Sequence, residues 1–151
     1  MSLAADTLIT DPGGTSQISK LNVGGFASAW SIDGITNQPI FFSQGSDSPT
    51  EIFVIYIRTE NSTLIASPAQ RMCLADQTLK RADQLVPNSD LLLLADGQPE
   101  NIKSIDSGRY NGQLHHIAIN TMELKDKHLI IANGLVCGDF VLEMLSATAS
   151  T

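Results

Sequence analysis

The sequence predicts an all-β fold, a sandwich or barrel-like arrangement of many short strands, on three observations. Runs rich in Ile, Val, Thr, Phe and Tyr recur along the whole chain. Turn-forming pairs separate them, and no long helical period alternates with them as a parallel sheet would need. The strand-like runs come in order as Thr7 to Thr10, Phe26 to Ile32, Ile40 to Ser43, Ile52 to Ile57 and Thr63 to Ala66. They continue as Leu91 to Leu94, Ile102 to Ile105, Leu114 to Ile119, Leu129 to Ala132 and Phe140 to Leu145. Asp11-Pro12-Gly13-Gly14, Asp33-Gly34, Pro87-Asn88, Asp96-Gly97 and Asn111-Gly112 favour tight turns, through a preset φ or tolerance of positive φ. Helix is confined to a turn or two at Ser16 to Leu21 and at Lys80 to Leu85, the second stopped by Pro87. Gln44 to Pro49 reads as a polar loop. No repeat or linker divides the chain, so residues 1–145 form one expected domain and 146–151 a frayed tail.

Composition narrows the function. At 151 residues and 42% hydrophobic, the chain can bury one core. A net charge of -7 with nine scattered basic residues argues against a nucleic-acid groove, which needs clustered Lys and Arg. No apolar run approaches the ~20 residues of a membrane span, and no leader pattern opens the chain, so a soluble domain without membrane contact is expected. Two cysteines, Cys73 and Cys137, are too few for a disulfide scaffold and leave the compartment unassigned. Both read as buried hydrophobes, although Cys137 lies close in sequence to a polar chain segment of interest.

Chemistry concentrates in two stretches near opposite ends, SLAADTLIT at 2–10 and HLIIANGLVCGDF at 128–140. The first opens on Ser2, a possible nucleophile; the second leads an apolar strand through Asn133-Gly134 to Gly138-Asp139. Between them stand Asp6-Thr7, a turn with a Gly pair, ISKLNVGG at 18–25, Ser67-Pro68-Ala69-Gln70, LADQTLKRADQLVPNSDLLL at 74–93 and LHHIAIN at 114–120. In this order and spacing the blocks resemble the Hint superfamily, the Hedgehog and intein autoprocessing domains, most closely its bacterial intein-like members. The resemblance runs from Ser2 to about Leu142.

That resemblance implies a compact horseshoe-like β-domain with pseudo-two-fold halves and neighbouring termini. It also implies a reaction. The hydroxyl or thiol of the first residue attacks the carbonyl of the peptide bond before it, converting an amide into an ester or thioester. A middle-block His protonates the departing nitrogen, and a neighbouring Ser or Thr steadies the oxygen that gains charge. On this basis the candidate catalytic residues are Ser2, Ser67, Gln70, His116 and Asp139. The partners are the chain's own flanking segments; a monomer without cofactor or metal is expected.

The sequence departs from the family pattern in ways that change the expected chemistry. Ser2 stands where Cys is usual, and far less of a hydroxyl than of a thiol is ionised near neutral pH. A natural serine variant and an excised domain whose Cys was replaced both fit this, and Met1 alone precedes it here. Gln70 stands where the pattern has His and can hydrogen-bond but not shuttle a proton. Gly138-Asp139 fills the place of His-Asn, and Phe140 follows where splicing needs Cys, Ser or Thr. Cleavage or ligation at the N-terminal side is therefore expected, and splicing is not.

Each candidate also has a plain structural role open to it: Ser2 a frayed end, His116 a core histidine, Asp139 a turn or cap residue. Of His115 and His116, alternation sends one inward and one outward, and the inward one could replace the missing base. The same alternation argues against a metal site built from His115, His116 and His128. Two other classes of function remain open: a catalytically inactive Hint-fold interaction module, and an all-β carbohydrate or adhesion module.

Overall fold

Residues 3–46 and 50–149 are described by a computed structural model. The chain order is β1 (Leu3–Ala4), β2 (Leu8–Asp11), β3 (Gly14–Gln17), β4 (Phe26–Ser31), β5 (Gly34–Gly45), β6 (Thr50–Thr59) and β7 (Thr63–Ala66). Then follow β8 (Arg71–Cys73), β9 (Leu79–Arg81), β10 (Leu91–Leu93), β11 (Pro99–Gly112), β12 (Leu114–Ile119), β13 (Leu129–Ala132), β14 (Leu135–Gly138) and the helix α1 (Phe140–Ala149). Single 3₁₀ turns at Ile18–Lys20 and Ala82–Gln84 follow β3 and β9.

The strands form two sheets, one of eight strands in the order β10-β11-β6-β7-β1-β12-β5-β4 and one of six in the order β3-β2-β13-β14-β8-β9. Exchanging β1 through β6 with β7 through β12, and β13 with β14, leaves both orders unchanged read from the other end. The 3₁₀ turns exchange as well, each following a hairpin, β2–β3 or β8–β9. The two halves are thus related by a pseudo-two-fold whose axis falls between β1 and β7 in the large sheet and between β13 and β14 in the small one. Apolar side chains from both sheets, among them Leu3, Ile9, Ile57, Leu64, Met72, Ile117, Ile119 and Ile130, meet in one core.

The strands expected from β-branched and aromatic runs hold at Thr63–Ala66, Leu114–Ile119 and Leu129–Ala132 and within a residue or two in β2, β4, β6 and β10, whereas Ile40 to Ser43 and Ile102 to Ile105 are only parts of the long strands β5 and β11. Four corrections follow. The expected strand from Phe140 to Leu145 is the start of α1, because Asp139 caps it: Asp139 Oδ1 accepts from the Leu142 N–H at 3.2 Å. Gln44 and Gly45, expected in a loop, continue β5 and pair with His116 and His115; Asp47 to Pro49 lie outside the described residues. Lys80 lies in β9 rather than in a helix, and Asn111-Gly112 ends β11 in its ladder with β6 instead of forming a tight hairpin.

Asn133-Gly134 joins β13 to β14 with φ of 49° and 83°, the double positive φ of a type I′ turn. The Asn133 side chain then stitches three strands. Its Oδ1 accepts from Leu8 N at 2.8 Å and its Nδ2 donates to Thr63 O at 2.9 Å. We expect Asn133→Ala to cost about 1–3 kcal/mol, since two backbone groups lose partners and a left-handed residue gains a Cβ-only side chain. Urea unfolding monitored by circular dichroism measures this; a loss below about 0.5 kcal/mol would contradict the role given to Asn133.

Candidate active site

The start of the described chain is held between two strands. Leu3 of β1 pairs with Ala66 of β7 on one side and with His115 of β12 on the other. Ser67 is the next residue after Ala66, and His116 the next after His115. The chain leaves β7 through a β-turn, Ser67-Pro68-Ala69-Gln70, closed by Gln70 N donating to Ser67 O at 3.1 Å. Proline at the second position presets that turn. It sends the Gln70 amide into the interior, fully buried, where Nε2 donates to Gly138 O at 2.7 Å and to Arg71 O at 3.1 Å. Gln70 Oε1 has no hydrogen-bond partner among the described residues. Ser2 lies outside the described residues.

The start of α1 reaches all of these groups. Gly138 receives the Gln70 amide and leaves no room for a side chain: a Cβ there would stand 2.9 Å from Leu142 Cβ. Phe140 stacks on the His116 ring at 4.0 Å between centroids, and Phe42 stacks on it from 5.3 Å. Glu143, buried one turn further on, accepts from Ser67 Oγ at 3.0 Å. The sequence reading missed Glu143 because it placed residues 140–145 in a strand. An Asp at the position before residues 140–149, read as an N-cap, is the local signal that would have put Glu143 on a helix.

Asp139 faces a different set of partners. Its Oδ2 accepts from Ile119 N and from His128 Nδ1, each at 2.9 Å, and its Oδ1 from Leu142 N. The two side chains are 0% and 1% exposed. Burial would lower the His128 pKa, but the hydrogen bond and charge of Asp139 and the Glu123 carbonyl outweigh it and raise it. Burial pushes the Asp139 carboxyl up, against the pull of His128 and of the Ile119 N–H. One proton is in effect contested between Oδ2 and Nδ1. Three N–H donors around the carboxylate, and an acceptor at His128 Nε2 in the Glu123 carbonyl at 2.8 Å, put it on the ring.

His115 and His116 do point to opposite sides of β12, but both are buried, at 9% and 5%; the outward-facing histidine expected from alternation is absent. The reason is that β12 is central and covered twice, by α1 on the His116 side and by the Ile18–Lys20 turn on the other. His115 Nε2 donates at 2.8 Å to Ser43 Oγ, whose own hydrogen goes to Leu21 O at 2.6 Å, so His115 is fixed in structure. Burial pushes the His116 pKa down to about 4, so its ring is neutral at pH 7; Nδ1 has no partner among the described residues. Burial likewise pushes the Cys73 thiol up to about 11 and raises that of Cys137, so neither offers a thiolate near neutral pH. Among the described residues no group of three or more His, Cys, Asp or Glu is placed to hold a metal ion, and no helix is long and apolar enough to cross a membrane.

No family model and no curated protein matches the sequence. Solved structures do. The intein-like domain from Clostridium thermocellum superposes with a TM-score of 0.76 at 12% identity, over 91% of this chain and 97% of that one. A DnaB intein from Synechocystis sp. PCC 6803 gives 0.72 at 17% over 91% and 97%, and the gp41-1 intein 0.71 at 17% over 91% and 98%. The chain has the intein-like, or Hint, fold. Within it Ser67, Gln70 and His116 gather around the first turn of α1, whereas the Asp139 carboxylate is turned to His128.

The buried pair gives this Hint fold a pH signature. A raised His128 pKa contributes stability that is fully present below about 6.5 and lost as pH rises through the higher folded value. Comparing urea unfolding of the parent and His128→Gln across that range, the parent should lose stability toward high pH and the variant should not. Parallel pH profiles for the two proteins would refute the ion pair.

Proposed function

We propose that this chain is a self-processing domain that activates the peptide bond before residue 2 by an N-to-O acyl shift, leading to N-terminal cleavage or ligation of the flanking polypeptide. The observation that carries this is the pairing of Leu3 with both Ala66 and His115, beside Ser67 and His116. In the shift, residue 2 Oγ bonds to the preceding carbonyl carbon, the C–N bond breaks, and the proton lost by the hydroxyl ends on the freed amine. A thiol, amine or water then cleaves the ester. His116, neutral and with Nδ1 unpartnered among the described residues, is a group able to receive a proton, and Ser67, next in the chain to the partner of Leu3, is the hydroxyl we assign to the same reaction centre.

A second reading has its own observation. Both Gln70 N–H bonds are spent on the carbonyls of Arg71 and Gly138, which makes the residue a structural peg where the pattern calls for a base. That favours a catalytically inactive Hint-fold interaction module.

The two readings separate in a fusion carrying folded proteins on both ends. With Ser2→Cys, dithiothreitol should release the N-terminal partner, since a thioester forms and is intercepted more readily than an ester. Adding Gln70→His should raise the rate by about 10²-fold where proton transfer limits. No thiol-dependent release from either protein favours the inactive module.

The opposite bond should behave differently. Asp139 is held as a carboxylate, a poor group for succinimide formation, and Phe140 offers no side-chain nucleophile. The Asp139–Phe140 bond should stay intact at neutral pH even in the Ser2→Cys, Gln70→His protein. Intact-mass spectrometry reads this directly, and a spliced product or a freed C-terminal partner would overturn it.

A further inference from the structure

Glu143 is a carboxylate 8% exposed, reached by no step of the shift as written above. Burying an ionisable group costs free energy unless it is bonded. One of its bonds is to Ser67, whose Oγ donates its single hydrogen to Glu143 Oε1 at 3.0 Å. The residue before Ser67, Ala66, is paired with Leu3. A chain of two groups therefore runs from the side of residue 3 into the first turns of α1, ending on a proton acceptor. Around Glu143 stand His116 on β12, Arg81 on β9 and Cys137 on β14, each near enough for its titration to feel the Glu143 carboxylate, with Asp139 one turn before it. Gln70 cannot take a proton, and His116 holds one only weakly.

We infer that Glu143 is the positioning and proton-storing residue of the N-terminal shift, acting through the Ser67 hydroxyl. It rests on the self-processing reading above. As the residue 2 hydroxyl attacks, its proton passes to Ser67 Oγ while the Ser67 proton passes to Glu143 Oε1. The new C–O bond forms, and when the C–N bond breaks the proton returns from Glu143 through Ser67 to the departing nitrogen. No proton or electron pair is left over, and no co-reactant is required. A hydroxyl that donated only to a fixed acceptor would be a poor oxyanion donor; as a relay it needs that acceptor.

The test uses the full chain with a folded protein fused before residue 2 and Ser2→Cys, in which the same relay serves the thiol. Release by dithiothreitol is followed by mass spectrometry for the parent, Glu143→Gln, Glu143→Asp, Ser67→Ala and the Ser67→Ala, Glu143→Gln pair, each with its melting temperature. Glu143→Gln should slow release by about 10²-fold, Glu143→Asp should recover part of the rate, and Glu143→Gln should have no further effect once Ser67 is Ala. Three outcomes overturn the proposal while leaving the self-processing reading standing: release unchanged in Glu143→Gln, losses at the two sites that multiply, or rates that follow melting temperature alone. A parent that releases nothing overturns both.

Discussion

Taking a carboxylate fully out of water costs several kcal/mol, and Asp139 is 1% exposed. It is tolerated only because the Ile119 N–H, the Leu142 N–H and the His128 ring all converge on it. Each partner fixes a different part of the molecule. The Leu142 bond starts α1 and so turns the chain away from β14. The Ile119 bond ties that start to the end of β12, and His128 carries the link on to the Glu123 carbonyl in the β12–β13 connection. Phe140 and Glu143 meet His116 and Ser67 because of where the helix begins. Loss of one partner of such a pair costs ~3–5 kcal/mol and would loosen the helix start as well.

The pseudo-two-fold explains why the other half of the site lies where it does. β1 and β7 are equivalent strands paired across the axis, so Leu3, the first described residue, and Ala66, which ends β7, are neighbours by symmetry. From there the halves differ. Both strands end in an equivalent turn, closed by Thr7 N donating to Ala4 O at 3.0 Å and by Gln70 N donating to Ser67 O at 3.1 Å, but only the second ends on a long amide, Gln70, which reaches across to Gly138. A symmetric scaffold thus acquires an asymmetric polar contact through the residue that ends the turn, Gln70 in one half and Thr7 in the other. Gly138 permits it, since any side chain there would collide with Leu142.

What was legible in the sequence follows from which signals are local. Strands such as Thr63–Ala66 and Leu114–Ile119 declare themselves by β-branched residues, and Asn133-Gly134 declares its hairpin by positive φ. Arg71–Cys73 and Leu79–Arg81 do not, being three-residue strands whose pairing is their main support. Phe140, Val141 and Leu142 look like a strand; a cap bond to Asp139 and good helix formers beyond outweigh that preference. The candidate site suffered most from this single error. Ser67, Gln70 and His116 could be singled out as candidates because block order marks them, while the contact of Glu143 with Ser67 and the pairing of His128 with Asp139 depend on contacts between distant segments.

The same contacts bear on the direction of the proposed chemistry. A domain that cuts at both ends needs a terminal side chain free to attack its own backbone and a peptide bond free to swing. Here the Asp139 carboxylate is spent on three donors, and the bond that follows it is the first link of a helix packed on β12 and β14. Freeing that bond would unstack Phe140 from His116 and withdraw Glu143 from Ser67. Any arrangement that released the C-terminal side would dismantle the groups gathered beside β1, so the N-terminal activation we propose requires the C-terminal segment to stay attached and folded.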